Sequence, residues 1–177
     1  MKRSFWGFCL LAFISLTTVS CRTEVYCYIV KFKLFPPSVV EVGSDFVDAK
    51  FFDVNGNKKT ISDYSGKGKN LLLTFWDSGC GYTEDYLSLM KVVSEKYNEN
   101  LTLVSISINS ETEWKKALST YDIPWIHIRD PKKWCGVATK YGADGVPYYV
   151  IISPDGKVVD KWFGFSELKE KVSEHIK

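Results

Sequence analysis

Cys80 is the residue best placed to do chemistry. It ends the run Thr74-Phe75-Trp76-Asp77-Ser78-Gly79-Cys80, directly after the apolar Leu71-Leu72-Leu73. An apolar run followed by small turn residues predicts a buried strand that delivers Cys80 to the mouth of a helix, expected from about Thr83 to Tyr97. Unpaired backbone N–H groups and the positive end of the helix dipole favour thiolate over thiol there, and the thiolate is the nucleophile. The placement predicts redox chemistry. Dithiol sites of the CxxC kind carry a second cysteine three residues on, but here that position is Thr83. The Thr83 hydroxyl is expected to donate a hydrogen bond to the Cys80 thiolate and favour its charged form.

The chain has five cysteines. Cys9 falls in the apolar leader described below, which leaves Cys21, Cys27, Cys80 and Cys135. The carboxyl ends of parallel strands share one edge of a sheet, so Cys80 and Cys135 are expected at the same end of the domain. Two readings of Cys135 stay open. It is a resolving thiol for Cys80, which requires Cα atoms within ~7 Å, or it packs as a small hydrophobe beside Trp134. Cys27 is a half-buried thiol or one end of an accessory disulfide. His127 shares a strand face with Trp125 and Arg129 and is read as structural or exposed rather than catalytic, and His175 as solvated. Glu84 and Asp85 favour the dipole in the first helical turn, and Glu84 is also a candidate proton relay. Trp76, Tyr82 and Tyr148 are expected around Cys80. No cluster has zinc spacing, and no metal or organic cofactor is implied.

The positioning elements follow from the rest of the 177 residues, 45% hydrophobic and 25% charged, which suffice for one domain with a full core. Met1-Lys2-Arg3, the apolar stretch Phe5 to Leu16 and the small Thr17-Thr18-Val19-Ser20 read as a signal peptide over residues 1–20. Cys21 at the junction predicts a lipidated residue and a membrane anchor, with plain cleavage nearby as the alternative. Residues 21–44, with Pro36-Pro37, read as a linker or extension, and 45–177 as the folded domain. Removing Lys2 and Arg3 takes the net charge from +2 to zero, because the leader holds no acid. A neutral surface argues against nucleic acid as a partner.

Phe46 to Ile61 around Asn55-Gly56 predicts a hairpin. Strands are expected over 71–76, 101–108, 125–128, 148–152 and 158–163. Helices are expected over 83–97, from the capping box Ser110-Glu111-Thr112-Glu113 to about Leu118, from Asp130-Pro131 to about Tyr141, and after a Ser166 cap. Strands alternating with helices, then a hairpin and a helix, predict an α/β fold with a mixed sheet between helices.

These landmarks resemble the thioredoxin-like superfamily, in particular the TlpA/ResA type of envelope thiol–disulfide oxidoreductase within the alkyl hydroperoxide reductase/thiol-specific antioxidant (redoxin) group. The resemblance covers roughly residues 41–177. It rests on Asn55-Gly56, Asp63-Tyr64-Ser65-Gly66-Lys67, Phe75-Trp76 before Cys80, Gly145-Val146-Pro147 and Asp155-Gly156, in that order. It implies a cis Pro147 facing Cys80, with the Val146 backbone beside the thiol holding a substrate peptide as an added strand; an ordinary trans turn proline is the alternative. Trp76, Tyr82, Val146 and Pro147 are the expected substrate-binding residues. The family pattern is broken at Thr83, in place of the resolving cysteine, and at Thr74, in place of a buried acid. The expected function is disulfide exchange through Cys80 on protein or peptide thiols in the cell envelope. The alternative is a peptide-binding module that no longer turns over. Peroxide reduction is disfavoured by Asp77, which stands three residues before the cysteine where a hydroxyl is needed.

Overall fold

The computed structural model describes residues 39–176. The leader, Cys21, Cys27 and Pro36-Pro37 lie outside the described residues. The elements run β1 (Lys50–Phe52), β2 (Lys58–Thr60), a 3-10 turn (Ile61–Asp63), β3 (Asn70–Trp76), α1 (Thr83–Lys96), β4 (Leu101–Ser107), α2 (Glu111–Thr120) and β5 (Ile126–Arg129). A second 3-10 turn (Lys133–Cys135), α3 (Val137–Lys140), β6 (Tyr148–Ile152), β7 (Val158–Phe163) and α4 (Leu168–His175) complete the chain. All seven strands form one sheet in the order β2-β1-β5-β4-β3-β6-β7. β3, β4 and β5 are mutually parallel, and the remaining pairings are antiparallel. The fold is the mixed α/β sheet expected from the alternation of elements.

β3 is central because both its faces are apolar. Leu71 to Phe75 are 0% exposed and Trp76 is 1% exposed. Leu71, Leu73 and Phe75 pack in one core layer with Val104, Ile128, Tyr141 and Val150. Leu72 and Trp76 pack in the other, against Tyr86, Met90, Trp114 and Leu168 from α1, α2 and α4. Each fully buried large side chain contributes roughly 1.5–3 kcal/mol, so the strand that carries the Cys80 turn is anchored on both sides.

Three segments differ from expectation. The span 130–141 is not one helix. The Asp130 side chain is 3% exposed, and its carboxylate accepts from Lys132 N at 2.8 Å and Val137 N at 2.9 Å. It thereby closes a 3-10 turn and caps a four-residue helix beyond Gly136. A Cβ on Gly136 would lie 1.9 Å from Asp130 Oδ2, so only glycine fits there. Cys135 consequently sits in the 3-10 turn, outside any α-helix. Upstream, Val40 is 8% exposed and its N–H donates to Lys140 O at 2.7 Å. The packed body therefore includes residues before position 45. At the far end, Glu167 is the N-cap of α4 with no side-chain cap, so Ser166 does not fill the capping role expected of it. No helix among the described residues is long and apolar enough to cross a membrane.

Candidate functional site

The site is a double turn at the carboxyl edge of β3. Cys80 N donates to Asp77 O at 3.2 Å, and Thr83 N donates to Cys80 O at 3.1 Å, where α1 begins. Asp77 Oδ1 holds the first turn from inside, accepting from Gly79 N at 2.7 Å and Asn109 Nδ2 at 2.6 Å. Asn109 Oδ1 in turn accepts from Ser78 N at 2.9 Å and Ser107 Oγ at 2.9 Å. Asn109, 5% exposed, therefore ties the end of β4 to both sides of the turn that presents Cys80. Its position just past a parallel strand at the sheet's carboxyl edge is the signal that could have found it.

Cys80 is a partly exposed free thiol. It shares a small cleft with Trp76, Asp77, Tyr82, Thr83, Tyr86, Val146 and Pro147. The Val146–Pro147 bond is cis, as the resemblance implied. Tyr82 is 60% exposed and stands at the rim. Trp76 lines the cleft as a buried floor, stacked on Tyr86 with ring centroids 5.8 Å apart. Tyr148 does not line the cleft. It belongs to the opposite core layer, and its hydroxyl donates to Tyr141 O at 3.0 Å.

Thr83 and Cys135 do not act as expected. The Thr83 hydroxyl donates to main-chain carbonyls, Cys80 O at 2.7 Å and Asp77 O at 3.1 Å. A hydroxyl has one proton, and here it braces the turn instead of reaching the thiolate. Cys135 is disulfide-bonded. Cys80 is free, so the two are not joined to each other. A sulfur already in a disulfide has no thiolate with which to resolve Cys80, and the alternative of a free hydrophobic thiol fails as well.

Behind the cleft the buried polar groups are neutral. Thr74 Oγ1 lies 2.6 Å from Tyr86 Oη and 2.9 Å from Ser105 Oγ, which also accepts from Trp125 Nε1 at 2.7 Å. Burial pushes the Tyr86 hydroxyl far above the usual tyrosine range. His127 packs edge-on to Trp76 at 6.1 Å and against Trp125 at 5.3 Å. Neither of its ring nitrogens has a hydrogen-bond partner among the described residues, and burial holds the imidazole at about 3. It is neutral at physiological pH and structural, as read from the sequence. A hydroxyl cluster thus occupies the place of a buried carboxylate, and it supplies no base to take a proton at pH 7.

Three further residues that the sequence did not single out touch Tyr82, Gly145 and Pro147 beside the cleft. Phe163 is 59% exposed. Its ring lies so close to Gly145 that a Cβ there would meet it at 2.6 Å. Phe165 meets Tyr82 edge-on with centroids 5.7 Å apart, and Gly164 N donates to Pro147 O at 2.9 Å.

A thioredoxin-like family profile matches residues 68–158. The thiol-disulfide oxidoreductase ResA of Bacillus thuringiensis subsp. konkukian is 27% identical over 140 residues, covering 78% of both chains. The thioredoxin-like protein YneN of Bacillus subtilis is 24% identical over 135 residues, covering 74% of this chain and 76% of its own length. The thioredoxin domain of a thiol-disulfide oxidoreductase from Bacteroides vulgatus superposes with a TM-score of 0.68 at 23% identity, covering 78% of this chain and 99% of that one. The cysteine at a helix mouth, the facing cis-proline and these matches agree: the chain belongs to the thioredoxin-like family, with proteins of the TlpA/ResA type among its relatives.

Proposed function

We propose that this protein is an exported thiol–disulfide exchange protein with Cys80 as its single nucleophile. The observation that carries the reading is one free, partly exposed thiol at the entrance to α1, in one cleft with Val146 and Pro147. The Cys80 thiolate attacks one sulfur of a disulfide R–S–S–R′. The S–S bond breaks, Cys80–S–S–R forms, and R′–S⁻ leaves with the electron pair. With Thr83 in place of a second thiol and Cys135 already oxidised, release needs an external thiol. That thiol attacks the mixed disulfide and returns Cys80 as thiolate. The Val146 main chain offers an edge against which a substrate segment can lie as an added strand. The substrates are protein or peptide thiols and disulfides. Export, anchoring through Cys21 and a place in the cell envelope rest on the leader sequence.

The test is turnover of hydroxyethyl disulfide with an external thiol. Wild type is expected to turn over and Cys80→Ser to be inactive. Thr83→Cys is expected to release the second hydroxyethyl thiol from Cys80 in a single turnover without external thiol, by forming an internal disulfide that external thiol must then reduce. Equal rates for wild type and Cys80→Ser would overturn the reading. One observation favours a second reading, a peptide-binding module: Thr83 spends its hydroxyl on the turn and leaves no second redox group in the cleft.

A further inference from the structure

The segments that frame Cys80 have an unusual charge. Residues 76–86, 144–147 and 162–168 carry Asp77, Glu84, Asp85, Asp144 and Glu167 and not one Lys or Arg. The whole chain, by contrast, has 23 basic and 21 acidic residues. Glu84, Asp85, Asp144 and Glu167 are exposed and Asp77 is partly so. Among the described residues, Glu167 is the one of these five with a cationic partner, Lys171 at 3.7 Å one helical turn on. Asp77 lines the cleft itself, and the other four acids stand on the segments that flank it and form its rim in sequence. The same segments carry an apolar collar. Tyr82 and Phe163 are 60% and 59% exposed, Phe165 rests edge-on against Tyr82, and the Gly164–Pro147 hydrogen bond ties the segment 163–165 to the cis-proline loop. Gly164, at φ +78°, makes the bend between the two phenylalanines. Tyr82 and Phe163 are two of the five large hydrophobic side chains that stand well exposed among the described residues.

Resting on the reading that Cys80 exchanges disulfides, we infer that its partner is a cationic, apolar polypeptide segment, with lysine or arginine near its cysteine and an aromatic or large aliphatic residue beside it. The acids of the rim raise the local concentration of a cationic disulfide and repel an anionic one. The collar gives the apolar side chain a surface of fixed shape, because Phe163 is held against Gly145 and Phe165 against Tyr82.

The experiment compares rates of mixed-disulfide formation at Cys80 of the full protein with three small disulfides: cystamine (cationic), hydroxyethyl disulfide (neutral) and dithiodipropionate (anionic). At low salt, cystamine is expected to react about tenfold faster than dithiodipropionate, and the gap is expected to close at high salt. Glu84→Lys with Asp85→Lys is expected to narrow the low-salt ratio. Two cationic peptide disulfides, one with Phe and one with Ser beside the cysteine, test the collar. Phe163→Ser is expected to lower the Phe/Ser rate ratio roughly fivefold, the scale of one partly buried aromatic contact. No reaction with any of the three small disulfides would sink the exchange reading itself. Reaction with all three at equal, salt-independent rates would leave that reading standing and overturn this inference.

Discussion

Replacing Asn109 by aspartate changes one atom of the scaffold that presents Cys80 and reverses its meaning. The Asn109 amide donates to Asp77 Oδ1 at 2.6 Å, while its carbonyl accepts from Ser78 N and Ser107 Oγ. Asn109→Asp keeps both acceptor contacts and sets an oxygen against an oxygen at the third. Two unit charges ~4 Å apart at an effective dielectric of ~20 repel by about 4 kcal/mol. Opening of the turn relieves part of this, so the expected loss is about 2–4 kcal/mol at pH 7. At ~2–4 °C per kcal/mol for a domain of this size, that is on the order of 5–15 °C in Tm. Protonating the new carboxyl restores a donor to Asp77, so its folded value lies above the unfolded ~3.9. The folded variant then binds the proton more tightly than the unfolded chain. Its deficit against wild type grows as pH rises through that window and shrinks as pH falls. Asn109→Ala loses the same donor but titrates nothing, so its deficit stays flat. The assay is thermal unfolding of all three proteins from pH 4 to 8, alongside the rate of Cys80 exchange at pH 7, which falls in both variants as the turn loosens. An Asn109→Asp deficit equal at pH 4 and pH 8, or no deficit at all, would refute the reasoning.

His127, held at about 3 by burial, stays neutral in the fold while the unfolded chain takes up a proton below ~6.5. Wild type is therefore expected to lose stability as pH falls from 6.5, by up to about 1.4 kcal/mol per unit. Unfolding of His127→Phe from pH 7 to 5 should lack that component of the slope. Gly136→Ala drives a methyl into Asp130, 1.9 Å away at its nearer oxygen, and is expected to cost about 2–4 kcal/mol. Urea unfolding would show it, with Asp130→Ala in the same chain relieving the collision. The Asp160 carboxylate is desolvated, yet the Lys171 ammonium at 2.9 Å keeps it below its ordinary value. The stability it contributes is present above ~3.8 and lost as pH falls through its lowered folded value, an acid limb that Lys171→Met should weaken.

The fold was largely legible because β3 is apolar on both faces and the helix caps and turns carry their own signals. Leu71 to Trp76, the Ser110 capping box and the Gly145-Val146-Pro147 loop all emerge where their residue types direct them. The span 130–141 was misread because Asp130-Pro131 has the local chemistry of a helix start. The buried carboxylate instead bridges Lys132 and Val137, a tertiary choice that depends on Gly136. At the site, Cys80, Tyr82, Val146 and Pro147 meet in one cleft as expected. The role of Thr83 was not legible, because whether a hydroxyl reaches a thiolate or a carbonyl is settled by angles that spacing does not encode. Asn109, Phe163 and Phe165 were missed for a related reason. Strand pairing and loop packing bring them beside the residues that line the cleft, and for Asn109 alone the position just past a parallel strand was a signal.

The most direct test of the central claim is mass spectrometry of the full protein, intact and after non-reducing digestion, equilibrated in buffers from reducing to oxidising. Single-thiol exchange predicts a mixed disulfide between Cys80 and the buffer thiol. It should form and reverse with the buffer ratio while Cys135 stays in a disulfide that excludes Cys80. A Cys80–Cys135 linkage, or a Cys80 that remains a free thiol in the most oxidising buffer, would contradict it.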